Sequence, residues 1–266
     1  MQRVTHPNGV ITYTFDVFRG LPVSVHVSTR HGGVSPAPWN TLNFSVRRGD
    51  EPEHVAVNRA RFAEALGIDG ARTATCRQVH GALAAAVGAA DAGQMQDDAD
   101  ALVTNTADLP LSLVFADCVP VVLYDPVQHA LAVIHAGWRG TVKGAAASAL
   151  ATMAATYGTK PEDVIAGIGP SIGPESYEVG DEVVAVARQS PYQAWRYLDF
   201  GNGARRKPYF NLWAANAGQL IESGVPARNI EVSGIDTATN THDFFSHRAE
   251  QGRCGLFGMA AWLHQA

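Results

Sequence analysis

Three observations predict an α+β fold for this chain. Apolar runs of strand length recur along the 266 residues, and helix patterns lie between them. The two kinds of element do not alternate steadily, which argues against a doubly wound fold. No internal repeat, low-complexity block or linker interrupts the sequence, so we expect residues 1–266 to form a single domain.

Composition excludes several classes of protein. Apolar residues make up 46% of the chain and charged residues 17%, which is typical of a soluble globular protein. The net charge of −5 argues against nucleic acid or an anionic membrane as the main partner. Neither a signal peptide nor an apolar run of membrane-span length is evident. Three scattered cysteines, Cys76, Cys118 and Cys254, are too few for a disulfide framework, so we expect a reduced, cytoplasmic protein.

In the first third of the chain, the sequence predicts one strand, one long loop and one helix. Alternating polarity indicates a strand at 22–30, and glycines, prolines and asparagines indicate a loop that follows it to about residue 44. The helix is expected to begin at Asp50 as N-cap, with Glu53 completing a capping box, and to end at Gly67.

The middle of the chain is predicted to be rich in strands. Residues 73–88 indicate two short strands with a break at 78–81, and an acidic loop within 94–105 leads into another strand. The apolar run 109–126 reads as one buried strand, and 129–140 as its neighbour across a tight turn.

The last part of the chain is predicted to mix helices and strands. In order, the patterns indicate a helix from Thr141 to Tyr157 closed by Gly158, a strand entering the glycine-rich loop of 164–180, a short helix at 181–189, a flexible loop at 199–210, a helix between the caps Asn211 and Gly224, and a last strand at 230–240.

Asp117 and Cys118 stand in the middle of the apolar run 109–126. Burying a carboxylate without partners is costly, so the pair marks a site. His135 closes the neighbouring strand, and His80 stands where an earlier strand breaks. One histidine, one cysteine and one histidine at strand ends suit a zinc site with an open fourth position. The spacing alone is equally compatible with a small buried cysteine and two ordinary polar strand ends.

A second interpretation makes Cys118 a nucleophile, His135 its base, and Asp117 or another acid the group that orients the base. Consecutive strand residues point to opposite faces, so Asp117 and Cys118 share one pocket only if the strand breaks there. Pro120 favours such a break.

Two further motifs are candidates for ligand binding. Gly167 and Gly169 resemble the start of a dinucleotide fingerprint, but the third glycine is displaced and Pro170 offers no N–H to a phosphate. A tight turn is therefore the better interpretation of this loop. Arg139, between two glycines and close after His135, is a candidate to bind an anion.

Five motifs together resemble the YfiH family, in the same order along nearly the whole chain: RQVHG, ADCVPVVL, HAGWRGT, GIGPSIGPESYEVG and FFSHR. Members of that family have been called multicopper polyphenol oxidases (laccase-like) and purine nucleoside phosphorylases. The resemblance implies that His80, Cys118 and His135 bind zinc and act in catalysis. It also implies packed mixed sheets with helices outside, as in the YfiH-like cysteine hydrolase fold.

The resemblance implies phosphorolysis of adenosine, inosine or S-methyl-5′-thioadenosine, with adenosine deamination as a second activity. Phosphorolysis needs groups that hold phosphate and donate to the departing base. The candidates are Arg59, Gln78, Arg139 and Arg248. The chain departs from the family pattern near its end, where Asp236, Thr237, Ala238 and Thr239 replace a Cys-Thr-x-Cys segment, His247 replaces a tyrosine and Ala249 an arginine.

The histidine pattern disfavours copper as the metal. A multicopper oxidase requires about ten histidine ligands, generally in His-x-His pairs. The ten histidines of this chain include no such pair. Three alternatives to the phosphorylase remain open from sequence: a cysteine- or zinc-dependent amidohydrolase that edits a peptidoglycan precursor, a metal-binding protein without catalysis, and copper-dependent phenol oxidation.

Overall fold

The computed structural model describes residues 1–201 and 207–265, and these contain fifteen strands and five α-helices. The strands are β1 (Gln2–Thr5), β2 (Ile11–Thr14), β3 (Val23–Ser28), β4 (Thr75–Cys76), β5 (Ala84–Ala86), β6 (Met95–Gln96), β7 (Ala101–Thr104), β8 (Leu111–Phe115), β9 (Val119–Asp125), β10 (Ala130–Ala136), β11 (Ile165–Ile168), β12 (Leu198–Asp199), β13 (Tyr209–Phe210), β14 (Ile230–Val232) and β15 (Phe257–Leu263). The helices are α1 (Pro52–Leu66), α2 (Trp138–Val142), α3 (Ala145–Tyr157), α4 (Asp181–Gln189) and α5 (Leu212–Glu222).

Two sheets contain most of the strands. The first has five antiparallel strands in the order β1-β2-β3-β15-β8. The second has six strands in the order β14-β11-β9-β10-β7-β5 and is mixed, because β14 joins β11 and β5 joins β7 in parallel. Two small sheets pair β4 with β6 and β12 with β13.

The two large sheets pack face to face, with helices on the outside. Successive residues of β10 point to opposite faces of the sheet and therefore pack in different cores. Val133 packs between the sheets with Met259 of β15. Ile134 faces the other way, into a core shared with Met153 of α3. On the far side of the five-stranded sheet, Phe62 of α1 packs in a third core. This mixed architecture confirms the expected combination of packed sheets and outer helices.

Several predicted elements are confirmed at close to their expected bounds. The strand at 22–30 is β3, the hairpin at 125–129 joins β9 to β10, and the short helix at 181–189 is α4. Gly67 ends α1 in the left-handed conformation that glycine adopts most easily. Asn211 caps α5 by accepting a hydrogen bond from the Ala214 N–H.

The predicted start of the first helix is wrong. Its N-cap is Glu51, with Pro52 as the first helical residue and no side-chain cap. Asp50 is buried instead, and one of its carboxylate oxygens accepts hydrogen bonds from Ser35 Oγ and Asn43 Nδ2. A carboxylate with these partners fastens the preceding loop and is not available to cap the helix.

The prediction of one strand across 109–126 is also wrong. This run forms β8 in the five-stranded sheet and β9 in the six-stranded sheet, joined by residues 116–118. Asp117 has a φ of +78°, which breaks the extended conformation and turns the chain from one sheet to the other. We call residues 116–118 the crossing.

Three further boundaries differ from those expected. The helix at 141–157 is divided into α2 and α3 by Gly144, which has a φ of +80°. The strand β14 is not the last one, because β15 follows it and lies inside the five-stranded sheet. Of the loop predicted at 199–210, residues 202–206 lie outside the described residues, and both ends form short strands, β12 and β13. In the described part of the chain, no helix combines the length and apolar character needed to cross a bilayer.

Candidate metal centre and cleft

His80, Cys118 and His135 lie together in the structure. The ligand atoms they offer are all within 4.8 Å of one another. Within residues 1–201 and 207–265, this is the one group of three or more His, Cys, Asp or Glu side chains placed to hold a metal ion. Two nitrogen donors and one thiolate suit a tetrahedral zinc site with a fourth position left for another ligand.

The fold explains how residues so far apart in sequence meet. The crossing delivers Cys118 to the seam between the sheets, one residue before β9 begins. His135 lies opposite Pro120 in the β9–β10 ladder, which places it beside that same strand end. His80 stands in the turn between β4 and β5 with a φ of +59°. Two of the candidate ligands therefore come from turns of the chain, and the third comes from the end of a strand.

Asp100 orients two of the three candidate ligands. Its Oδ1 atom lies 2.8 Å from Nδ1 of His135 and accepts the His80 backbone N–H at 3.0 Å. Its Oδ2 atom accepts the N–H groups of Val79 and Gly81. A carboxylate on Nδ1 directs Nε2 of His135 towards the cluster, as carboxylate partners do at many metal sites. Sequence analysis missed Asp100 because it is one of three aspartates in an acidic loop.

Cys118 and His135 shift each other's pKa. Burial opposes ionisation of the Cys118 thiol, but the charge of His135 and hydrogen bonds from both histidines outweigh it and lower the pKa of Cys118 to about 6. Burial likewise opposes the charging of His135, whereas the Cys118 thiolate and Asp100 raise the pKa of His135 to about 9. Between these values the thiolate and the imidazolium stabilise each other.

Alkylation of Cys118 is expected to follow this lowered pKa. In chelator-treated protein, the rate of reaction with iodoacetamide should rise with pH through a midpoint of about 6 and then level off, because the thiolate is the reactive form. Peptide mass spectrometry measures the rate. The buried thiols of Cys76 and Cys254, whose pKa burial raises to about 12, should stay unmodified and serve as internal controls. A midpoint near 9 for Cys118 would contradict stabilisation by His135.

Gly137 lies against the cluster, and its lack of a side chain leaves room for the candidate ligands. A Cβ atom at this position would lie 2.8 Å from Cys118 Sγ and 3.2 Å from His80 Cδ2. The side chains of both candidate ligands pass where a larger residue would stand. The structure therefore requires glycine here for close approach and not for backbone conformation, because its φ is −69°.

We expect Gly137→Ala to weaken metal binding by about 10–100-fold, the range found when the support of metal ligands is disturbed. Competition with a chromophoric chelator measures the affinity. Gly88→Ala is the matched control, because a Cβ atom there meets only Thr106 Oγ1, at 3.8 Å. Equal affinities of the two variants would show that the glycine is not needed by the cluster.

Asp117 accepts hydrogen bonds from segments that lie later in the chain. Its Oδ1 atom accepts a hydrogen bond from Thr237 Oγ1 at 2.7 Å, and its Oδ2 atom accepts the Arg248 backbone N–H at 2.6 Å. Its carbonyl accepts the Ile172 N–H. Asp117 thus ties the crossing to three later segments. Of the two alternatives for the acid that orients His135, Asp117 or another acid, the second holds, because Asp100 lies against His135 Nδ1.

The segment that departs from the family pattern is well bonded. One oxygen of Asp236 accepts the backbone N–H groups of Gly173 and Ala238, and the other accepts Ser176 Oγ. Asp236 therefore holds the glycine-rich loop that follows β11. His247 lies at the surface, and partial desolvation of its ring, followed by the charge of Arg48, lowers its pKa.

A cleft of about 1220 Å³ opens from the cluster. One wall is a face of α1, and the other is the outer face of β8. Three arginines line it together with Cys118: Arg47, Arg48 and Arg59. All three are arginine candidates from the sequence, and Arg59 is the one of them expected there to hold phosphate.

The remaining candidate substrate contacts are divided between two places. Gln78 lines the cleft, but its side-chain amide both donates to and accepts from the backbone of Val114. Arg139 and Arg248 are not among the lining residues; the Arg139 guanidinium stacks 4.2 Å from the Trp138 ring centre. Arg248 donates to the carbonyls of residues 176 and 178, in the loop that contains Tyr177.

The pKa of Tyr177 is affected both by Cys118 of the cluster and by the two arginines, Arg139 and Arg248. Burial raises the pKa of its phenol, the negative charge of Cys118 raises it further, and the charges of Arg248 and Arg139 lower it. Both arginines are therefore electrostatically close to a side chain that is itself close to Cys118. They lie near the cluster on a side that the cleft does not include.

Comparison with known proteins supports the resemblance seen in the sequence. The profile of the family described as multi-copper polyphenol oxidoreductase laccase matches residues 24–264. Purine nucleoside phosphorylase YlmD of Geobacillus stearothermophilus is 37% identical over 241 residues, 86% of each chain. A purine nucleoside phosphorylase of Bacteroides thetaiotaomicron is 35% identical over 250 residues, 91% of this chain and 92% of that one.

Solved structures show the same fold. The crystal structure of a Bacillus licheniformis hypothetical protein, YfiH, aligns with a TM-score of 0.90 and 30% identity over 98% of both chains. The crystal structure of YlmD from Geobacillus stearothermophilus aligns with a TM-score of 0.88 and 31% identity over 99% of both.

Proposed function

The chain belongs to the YfiH family, the one described as multi-copper polyphenol oxidoreductase laccase, and from this premise we propose that it is a zinc-dependent purine nucleoside phosphorylase. Its substrates are adenosine, inosine or S-methyl-5′-thioadenosine, and its products the free base and ribose 1-phosphate or its methylthio analogue. Relatives named purine nucleoside phosphorylase, at 35–37% identity over most of the chain, support this assignment.

One observation carries the proposal: the His–Cys–His cluster opens into a cleft lined by arginines. The chain has a net charge of −5, yet Arg47, Arg48 and Arg59 line the same cleft as Cys118. Cationic groups around a reactive centre favour an anionic reactant such as phosphate.

The donor set favours zinc over copper. A thiolate and two imidazoles suit zinc, and the cluster is the one candidate metal group that the described residues contain. Copper oxidation of phenols by the multicopper mechanism needs several metal sites. Held by His80, Cys118 and His135, zinc supplies a Lewis acid at the end of the cleft. Asp100 keeps His135 in the tautomer that binding requires.

Phosphorolysis then assigns a task to two arginines of the cleft. A phosphate oxygen bonds to C1′ of the ribose as the bond to the purine nitrogen breaks, and the proton that hydrogen phosphate loses goes to the departing nitrogen. The guanidinium groups of Arg48 and Arg59 each donate to a backbone carbonyl, of Gly252 and Phe44 respectively, which fixes their position. Their remaining N–H groups hold the phosphate. Arg139 and Arg248 approach the substrate from the side of Tyr177.

Product analysis by mass spectrometry tests the proposal. Adenosine, inosine and S-methyl-5′-thioadenosine are incubated with zinc-loaded protein, with and without phosphate, and Cys118→Ala serves as the inactive control. Free base and the sugar 1-phosphate should form only when phosphate is present. Inosine formed from adenosine without phosphate would establish deamination as a second activity. The absence of turnover of every nucleoside would contradict the proposal.

A second candidate function has one observation in its favour. Cys118, His135 and Asp100 form a chain in which a thiol of lowered pKa adjoins an imidazole held by a carboxylate. This is the arrangement of a cysteine nucleophile, its base and the group that orients the base. It suits an amidohydrolase that cleaves a peptidoglycan precursor, which would work without phosphate or metal. In either case we propose action in the reducing cytoplasm, where the three free thiols are stable.

A further inference from the structure

The cleft extends well beyond the His–Cys–His cluster. Ser112 and Val114, two residues apart on one face of β8, both line it, so the cleft follows that strand. From its end at Phe115 to its start at Leu111, β8 covers about 14 Å at about 3.4 Å per residue. The opposite wall is one face of α1, where lining residues recur every three or four positions: Pro52, Val55, Ala56, Arg59, Ala60, Ala63.

The two ends of this cleft differ in charge. The loop before α1 lies at the reactive end, because the Phe44 N–H donates to the Leu256 carbonyl, next to the start of the β15–β8 ladder at Phe257 and Phe115. Arg47 and Arg48 therefore lie near the cluster. Arg59, halfway along α1, donates back to the Phe44 carbonyl at 3.0 Å. All three arginines thus serve the reactive end.

The other end is apolar. We call it the far arm and define it by the lining residues Ala60, Ala63, Ile68, Ala71 and Met95. The charged residues that line the cleft there are acidic, Glu64 and Asp69. Glu64 accepts a hydrogen bond from Asn8, and Asp69 accepts the Ala71 N–H. Such surroundings favour an uncharged apolar group and disfavour a phosphate.

The cleft is also large for a single small ligand. Pockets for ligands of drug size measure about 300–1,000 Å³. A nucleoside is a ligand of this class, and the cleft of about 1220 Å³ exceeds the upper limit. A nucleoside and phosphate at the cluster therefore leave the far arm vacant for a further part of the substrate.

We propose that the far arm binds an uncharged apolar substituent of several carbons on the purine nucleoside. The inference rests on the proposed function and narrows its substrate class. The substituent is carried either at the 5′ position of the ribose or on the exocyclic nitrogen of the base, because both positions extend away from the bond that is cleaved.

Two series of adenosines test the inference. One carries methyl-, butyl- and hexylthio groups at the 5′ position, and the other carries the same alkyl groups on the exocyclic nitrogen. Each methylene that becomes buried is worth about fourfold in affinity. In one of the two series, we expect kcat/KM and the calorimetric affinity to rise at least about tenfold from methyl to hexyl. The series that rises identifies the point of attachment.

A pair of tryptophan substitutions on α1 tests the location. Ala60 is exposed and lines the far arm, so Ala60→Trp fills this arm at little cost to folding. Val57 is 44% exposed on the same helix and does not line the cleft, which makes Val57→Trp the matched control. Ala60→Trp should abolish the gain in affinity with chain length, whereas Val57→Trp should keep that gain.

The possible results separate the two proposals. Affinities that stay flat or fall with chain length in both series would overturn the inference, as would a gain that survives in Ala60→Trp. Binding that rises with chain length and is lost in Ala60→Trp supports the far arm even without turnover. In that case the phosphorylase assignment fails and the inference about the substituent stands.

Discussion

Cys118→Ala is expected to remove both the bound metal and the phosphorolytic activity. The thiolate is the anionic member of the cluster, and the two neutral imidazoles that remain bind zinc weakly. We expect the zinc content, measured by atomic emission, to fall from one ion per chain to trace levels. The value of kcat/KM should fall by about 10³-fold or more, because a metal contributes several kcal/mol to charge stabilisation.

Cys254→Ala is the control for this substitution. Cys254 is fully buried in the core between the sheets and is not part of the cluster, so its loss should leave the zinc content unchanged. Retention of stoichiometric zinc by Cys118→Ala would mean that the thiol is not a ligand, and it would favour a role as nucleophile.

Asp100→Asn is expected to damage both stability and metal binding. One carboxylate accepts four hydrogen bonds, three from backbone N–H groups and one from His135. An amide turns one acceptor into a donor that faces other donors, and it leaves His135 without its charged partner. We expect a loss of about 3–5 kcal/mol in the free energy of unfolding. Metal affinity should fall by about 10–100-fold.

The loss of stability caused by Asp100→Asn should depend on pH. Burial alone would raise the pKa of Asp100, but His135 and the backbone donors hold it below 3.8. A carboxyl with a lowered pKa in the folded state contributes stability that is present above about pH 4 and is lost as the pH falls further. Guanidinium unfolding at neutral pH and below pH 4 should therefore show a smaller difference between wild type and variant in acid.

Asp98→Asn is the matched control in the same acidic loop. The Asp98 side chain is 58% exposed and pairs with Arg77 at the surface. Its substitution should change stability by less than about 0.5 kcal/mol, as is usual for surface residues. Equal effects of the two substitutions would contradict the orienting role of Asp100.

The three candidate ligands were within reach of sequence analysis because each stands at a conspicuous break. His80 directly precedes Gly81, His135 stands two residues before Gly137, and Cys118 follows an aspartate inside an apolar run. Asp100 offered no such signal. Asp97 and Asp98 stand beside it, one 97% and the other 58% exposed, and only the packing of the loop against β10 separates their role from that of Asp100.

The course of the chain was harder to predict where apolar residues continue across a turn. In 109–126, alternation and apolar character persist on both sides of Asp117, so the pattern cannot tell one strand from two. The change of sheet depends on the φ of Asp117, which Thr237 and Arg248 stabilise from more than a hundred residues away. Such partners are invisible to local patterns.

The break at Gly144 and the strand β15 show the same limit. Alanine-rich sequence on both sides of Gly144 favours one continuous helix, yet a Cβ atom at this glycine would overlap the ring of Tyr192. The close contact with Tyr192 therefore outweighs the helix propensity of the flanking alanines. The strand β15 is buried along its whole length, contains one glycine and two alanines, which are depleted in strands, and is held by β3 and β8 on its two sides.

The shortness of the crossing limits how this chain can change in length. Most surface loops accept inserted residues at small cost. Residues 116–118 connect two different sheets, and one of these residues is a candidate ligand. One residue more or fewer would shift β8 or β9 by one position, which turns every side chain of that strand to its opposite face. Relatives of this chain should therefore vary in length in their outer loops and keep the same number of residues between these two strands.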